Sequence, residues 1–95
     1  MRTYEVMFIV RPEVEAEALT AVVEKVKGLL TSGGGQVTEV KPWGRRRLAY
    51  PISKSTEGQY VFMQAQLPAQ MIGGLERDLR LNEQVLRFLV VRADE

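Results

Sequence analysis

Histidine and cysteine are both absent from this 95-residue chain. Without cysteine there is no disulfide framework, no thiolate nucleophile and no thiolate metal site. Without histidine the commonest general base and the commonest metal ligand are missing as well. Long apolar runs are also lacking. The longest, VMFIV at residues 6–10, falls far short of the roughly 20 residues a membrane-spanning helix takes. It is too short for a signal-peptide core, and no small-residue cleavage site follows, so a cytoplasmic protein is expected. The serines and lysines have no evident activating neighbour. Glu76 and Asp78 stand two apart on an expected helix, hence on different faces. Gly33-Gly34-Gly35 has no following Lys-Ser/Thr and leads into a strand rather than a helix, which excludes a phosphate loop. Catalytic residues, a metal site, a cofactor, a small-molecule substrate and a membrane partner are therefore all unexpected.

What is present is an apolar content of 45%, enough for a modest core in one domain over residues 1–95. Net charge is +1, but it is unevenly spread: residues 1–40 carry −2, residues 61–95 carry −1, and residues 41–60 carry +4. The positive field is local and centred on WGRRRLAYPISK, where Arg45, Arg46 and Arg47 are flanked by Trp43 and Tyr50.

Residues 3–10 (TYEVMFIV) read as a strand stopped by Arg11-Pro12. From 15 to 32, Ala18, Leu19, Val22, Val23, Val26, Leu29 and Leu30 recur at helical spacing and form one buried face. Glu13, Glu15 and Glu17 stand at its positive end, and the three glycines end it. Residues 36–41 form a second strand that continues through WGRRRLAY; Pro42 and Pro51 place it at a sheet edge. A polar turn is expected at 53–58, a third strand at 59–67, a helix from Pro68 to about Leu81, and a fourth strand at 84–92. Gly73-Gly74 weakens that second helix. The order predicts an α+β, ferredoxin-like βαββαβ fold: a four-stranded antiparallel sheet with two helices on one face and the first and third strands central.

The other face stays open and should be polar. If Tyr4, Val6, Phe8 and Val10 face the helices, Met7 and Ile9 face outward, joined by Phe62, Leu89 and Val91. An apolar cluster of this kind on adjacent strands marks a protein-partner surface, the partner being another protein or a second copy of this chain. Arg45 and Arg47 share one side of their strand and Arg46 takes the other. From the residues alone the arginines fit two roles equally: phosphate contact through their planar forks and protection of an edge strand from aggregation. Trp43 reads as a hairpin-packing residue; Tyr50 is left open between packing and base stacking.

Three segments carry a resemblance over essentially the whole chain: the opening Met-Arg-x-Tyr-Glu, then Trp-Gly-x-Arg-x-Leu-Ala-Tyr-Pro-Ile-x-Lys, then Arg-x-Asn-x-x-Val-x-Arg. Together they resemble the bacterial family of ribosomal protein six of the small subunit. The resemblance implies a non-catalytic constituent of the cytoplasmic ribosome that binds the central domain of 16S rRNA together with small-subunit ribosomal protein eighteen. Matched residue by residue, it implies RNA-side roles for Arg2, Arg45, Arg46, Arg47, Tyr50, Lys54, Arg80, Asn82, Arg87 and Arg92. It tips the arginine run toward RNA or partner contact, with edge protection as a second role. Many members carry a charged tail past the last strand, whereas this chain stops at Asp94-Glu95, so no tail contact is carried over. The alternative reading is a small-molecule-sensing ferredoxin-like domain that dimerises through its sheet. The open face fits it and the three adjacent arginines do not. A small ferredoxin-like hydrolase lacks a nucleophile and a base.

Overall fold

The computed structural model describes residues 1–93. They form β1 (Arg2–Val10), α1 (Ala16–Ser32), β2 (Gln36–Ile52), β3 (Ser55–Leu67), a 3-10 turn (Ala69–Met71), α2 (Ile72–Leu81) and β4 (Val85–Arg92). The strands make one sheet in the order β2-β3-β1-β4, and every neighbouring pair is antiparallel. The fold is the expected ferredoxin-like one, with β1 and β3 central.

Alternation along β1 and β3 sets the two faces. Tyr4, Val6, Phe8 and Val10 of β1 and Val61, Met63, Ala65 and Leu67 of β3 are buried in one cluster with Val22, Val26 and Leu30 of α1 and Leu75 and Leu79 of α2. The period-2 and helical patterns thus meet at one interface between the sheet and both helices. The glycine run ends α1 by a Schellman motif. Gly34 takes a left-handed φ of 93° and donates its N–H to the Thr31 carbonyl at 3.2 Å, and Gly35 donates to the Leu30 carbonyl at 2.9 Å, which satisfies two otherwise orphaned acceptors.

Two elements depart from expectation. Residues 55–58 are not a turn but the start of β3, and only Ser53 and Lys54 make the reversal, both at positive φ (48° and 68°). That pair of conformations is the type I′ hairpin turn, whose twist matches that of the strands it joins. Residues 55–57 are polar because they project past the end of β1 and take no part in the core between the sheet and the helices. The second helix does not start directly at Pro68; the chain makes a 3-10 turn first and becomes α-helical at Ile72. Gly73 and Gly74 leave this beginning with weak helical preference.

Candidate functional site

The cations of WGRRRLAYPISK sit on a hairpin longer than the sheet that supports it. β1 pairs with β3 only from Gln59 onward, so β3 before Gln59 and β2 from Arg46 on reach beyond the body of the protein. Three register shifts interrupt the β2–β3 ladder and bend it. The distal part curls over the open face of the sheet. Leu48 is 9% exposed and packs near Gly58, where a side chain would run into Ile9 Cγ2. Glycine is required here for close approach.

The three arginines divide as strand alternation demands. Arg45 lies on the helix side and is tied down: Nη2 donates to the Pro12 carbonyl at 2.9 Å and Nη1 pairs with Glu57 at 3.5 Å. Gln59 braces the same loop by donating to the carbonyls of Arg11 and Val14. Arg46 turns to the open face, its guanidinium 5.5 Å from the centroid of Trp43. Trp43 in turn stacks on Phe62 at 5.7 Å with 4° between the planes. Arg47 is exposed opposite Glu57 in the register, and among the described residues its guanidinium has neither a hydrogen bond nor an ion pair.

A second arginine–aromatic pair closes the curl. Arg87 of β4 donates from Nη1 to the Tyr50 hydroxyl at 2.6 Å and lies 5.7 Å from the centroid of that ring. Beneath the pair is an open hollow of about 250 Å³ lined by Ile9, Leu48, Tyr50, Ile52, Tyr60 and Arg87. Tyr50, left open between two roles by the sequence, is 54% exposed and anchors the hairpin end to the far edge of the sheet.

The open face itself is ordered in rows. Phe62, Met7 and Leu89 lie side by side, followed by Gln64, Glu5 and Val91 on one side and Tyr60, Ile9 and Arg87 on the other. Leu89 and Val91 are 54% and 39% exposed, while Met7, Ile9 and Phe62 are half-buried. The expected contiguous exposed apolar patch is interrupted at two places: Ile9 lies beneath the curled hairpin, and Phe62 lies beneath Trp43. The exposed apolar surface is centred on Leu89 and Val91.

The remaining expected residues are spread over the molecule. Lys54 occupies the hairpin turn. Arg80, in the last turn of α2, rests its guanidinium 5.6 Å from the centroid of Phe88 on the helix side. Asn82 ends that helix; its Oδ1 accepts the Gln84 N–H at 2.9 Å and its carbonyl accepts that of Val85. Arg2 and Arg92 lie at the opposite end of the sheet, in register with Leu67 and Tyr4. The set therefore divides in three. Arg46, Tyr50 and Arg87 share the open face, Arg45, Arg47 and Lys54 belong to the hairpin away from it, and Arg2, Arg80, Asn82 and Arg92 lie elsewhere. Trp43, read from the sequence as a hairpin-packing residue, does stack on the paired strand; counting by twos along a bulged strand does not reveal that Phe62 is its partner. Among the described residues no three of His, Cys, Asp and Glu gather where they could hold a metal ion, and no helix is long and apolar enough to cross a membrane.

Comparison with known proteins gives one consistent result. The family model for ribosomal protein S6 matches residues 3–92. The small ribosomal subunit protein bS6 of Moorella thermoacetica is 47% identical over 95 residues, covering 100% of this chain and 97% of that protein. The protein of the same name from Desulforamulus reducens is 43% identical, covering 100% of both. The crystal structure of 30S ribosomal protein S6 from Thermotoga maritima superimposes with a TM-score of 0.92 at 32% identity, covering 97% of this chain and 87% of that one.

Proposed function

The chain belongs to the ribosomal protein S6 family, and from that premise we propose that it is a non-catalytic constituent of the small ribosomal subunit that binds 16S rRNA together with ribosomal protein eighteen. The observation that carries the reading is the projecting hairpin. It holds Arg47 and Lys54 clear of the protein body, both exposed and neither in a hydrogen bond or ion pair among the described residues. Cations held out on a rigid hairpin match the phosphates of an irregular RNA surface. The apolar area at Leu89 and Val91 is the docking area for the protein partner, with Met7 and the Trp43-covered Phe62 beside it.

The test is a salt titration of the chain, with and without ribosomal protein eighteen, on a central-domain fragment of 16S rRNA. Phosphate contacts release condensed counterions, so affinity falls with salt. Arg47→Ala and Lys54→Ala should each weaken binding and flatten the slope by about one unit per lost phosphate contact, with unfolding midpoints unchanged. Wild-type affinity and slope in both variants would remove the hairpin from the RNA site.

A further inference from the structure

Trp43 owes its place to a bulge. On β2, Pro42 stands opposite Val61 and Gly44 opposite Tyr60, so Trp43 is the extra residue between them, with no partner on β3. Gly44 takes a positive φ of 84° there, a conformation glycine adopts without strain. Residues three apart on a regular strand lie on opposite faces. The bulge adds one step to that count and brings Trp43 and Arg46 onto the open face together; re-aiming a side chain is a recurrent use of bulges. The indole lies parallel to Phe62, and the Arg46 guanidinium lies over the same indole. Covering Phe62 uses one side of the ring only, and Trp43 is still 43% exposed.

Charge on the open face is graded along the strands. Glu5 and Glu39 stand in register with Gln64, and Glu39 is paired with Lys41. At the hairpin end Arg46 lies on Trp43 and Arg87 on Tyr50, and among the described residues neither is ion-paired with a carboxylate. The face is therefore cationic where its aromatic rings are exposed. That combination suits an anion that carries a flat apolar ring. An unpaired nucleotide is both in one ligand: its base stacks on an aromatic ring and its phosphate takes a guanidinium. An aromatic protein side chain brings the ring without the charge, and a carboxylate brings the charge without the ring. A paired base is unsuitable, because its faces are already stacked within the helix.

We propose that Trp43 is the stacking site for an unpaired base of the RNA, which lies against the exposed side of the indole while Arg46 turns from the ring to the adjoining phosphate. The proposal rests on the RNA reading above and deepens it: the hairpin cations hold the backbone, and the indole selects an unpaired nucleotide over a duplex.

Trp43 is the single tryptophan of the chain, so its ring protons can be followed without overlap. The test is isotope-filtered NOE spectroscopy on the labelled chain bound to a central-domain fragment of 16S rRNA and ribosomal protein eighteen, with the RNA and the partner deuterated in turn. Contacts from the indole ring to base protons of the RNA are expected. Contacts to the partner's protons in their place overturn the proposal in favour of a protein side chain. A complex that forms with neither kind of contact overturns it and leaves the RNA reading standing, whereas no RNA binding, with or without the partner, overturns both. In parallel, Trp43→Leu should weaken RNA binding about 5–100-fold at an unchanged salt slope, because no phosphate contact is lost, and Trp43→Tyr should recover most of the affinity. Wild-type affinity in a folded Trp43→Leu variant overturns the proposal; the NOE measurement uses the native sequence and holds whether or not that variant folds.

Discussion

Replacing Gly73 and Gly74 by alanine should make the protein more stable. Both lie in the first turn of α2, and a helical turn, Ala69–Met71, leads into them, so they are embedded in a helical run. Neither has a positive φ, and a Cβ built on either meets nothing within 4 Å. No turn, close approach or strained backbone calls for glycine at either position. Each replacement then recovers the backbone entropy that glycine loses on folding, about 0.5–1 kcal/mol, or about 1–2 kcal/mol for the pair if the two add. With about 4–8 °C per kcal/mol for a domain of this size, Tm should rise by roughly 5–15 °C. Urea unfolding followed by far-UV circular dichroism reads the same quantity, and the midpoint should move up by the order of 1 M at an unchanged m-value. A double variant with an unchanged or lower midpoint at the same m-value would refute the reasoning, because it would mean that α2 needs these glycines for its geometry.

Two further perturbations test the description of the faces and of the turn. Phe8 is fully buried, so Phe8→Asp should unfold the protein, whose whole stability is of the order of 5–15 kcal/mol. Ile9→Asp should remain folded but lose about 1–3 kcal/mol as the hairpin end lifts from the sheet, and equal loss of circular dichroism in both variants would reject the assignment of faces. Replacing Ser53-Lys54 by Asn-Gly should stabilise the hairpin by about 1 kcal/mol, since both positions have positive φ and these residues accept it; a lowered unfolding midpoint would contradict a type I′ turn.

Where burial imposed a period, the sequence was readable. The alternation of β1 and β3 gave the correct inward residues, and the spacing in α1 gave Val22, Val26 and Leu30. Pro42 identified the edge strand because a missing N–H has physical meaning only there. The hairpin end was misread because residues 55–57 lie past the end of β1 and carry no apolar period, and Gly58, though buried, has no side chain to reveal it. The sidedness of the arginines was readable by counting alone. Their individual environments were not, because Arg45 is held by a carbonyl of the β1–α1 loop, a partner with no side-chain signature. The curl that joins Tyr50 to Arg87 depends on Gly58 and Leu48 meeting over Ile9, a contact between segments far apart in the chain.

The arginines can be ranked for RNA by what each gives up on binding. Arg47 gives up nothing, since its guanidinium is solvated and unpaired among the described residues. Arg46 would leave the face of Trp43, a cation–π contact of about 0.5–1 kcal/mol at an exposed site, unless the RNA approaches so that the stack is kept. Arg45 would surrender its hydrogen bond to the Pro12 carbonyl; its ion pair with Glu57 is more than half exposed on the arginine side and adds little. The bond to the carbonyl contributes of the order of 1 kcal/mol and also holds the hairpin against the β1–α1 loop. Edge protection and RNA contact are therefore compatible in one residue: a charge that guards β2 by staying solvated is also the charge most available to a phosphate. In matched salt titrations on the rRNA–partner complex, alanine at Arg47 should flatten the slope most and leave the unfolding midpoint unchanged. Alanine at Arg45 should lower the midpoint while changing the slope least, with Arg46 between them. The reverse order, with Arg45 dominating the slope at undiminished stability, would show that the bond to Pro12 is exchanged for a phosphate on binding and would overturn the ranking.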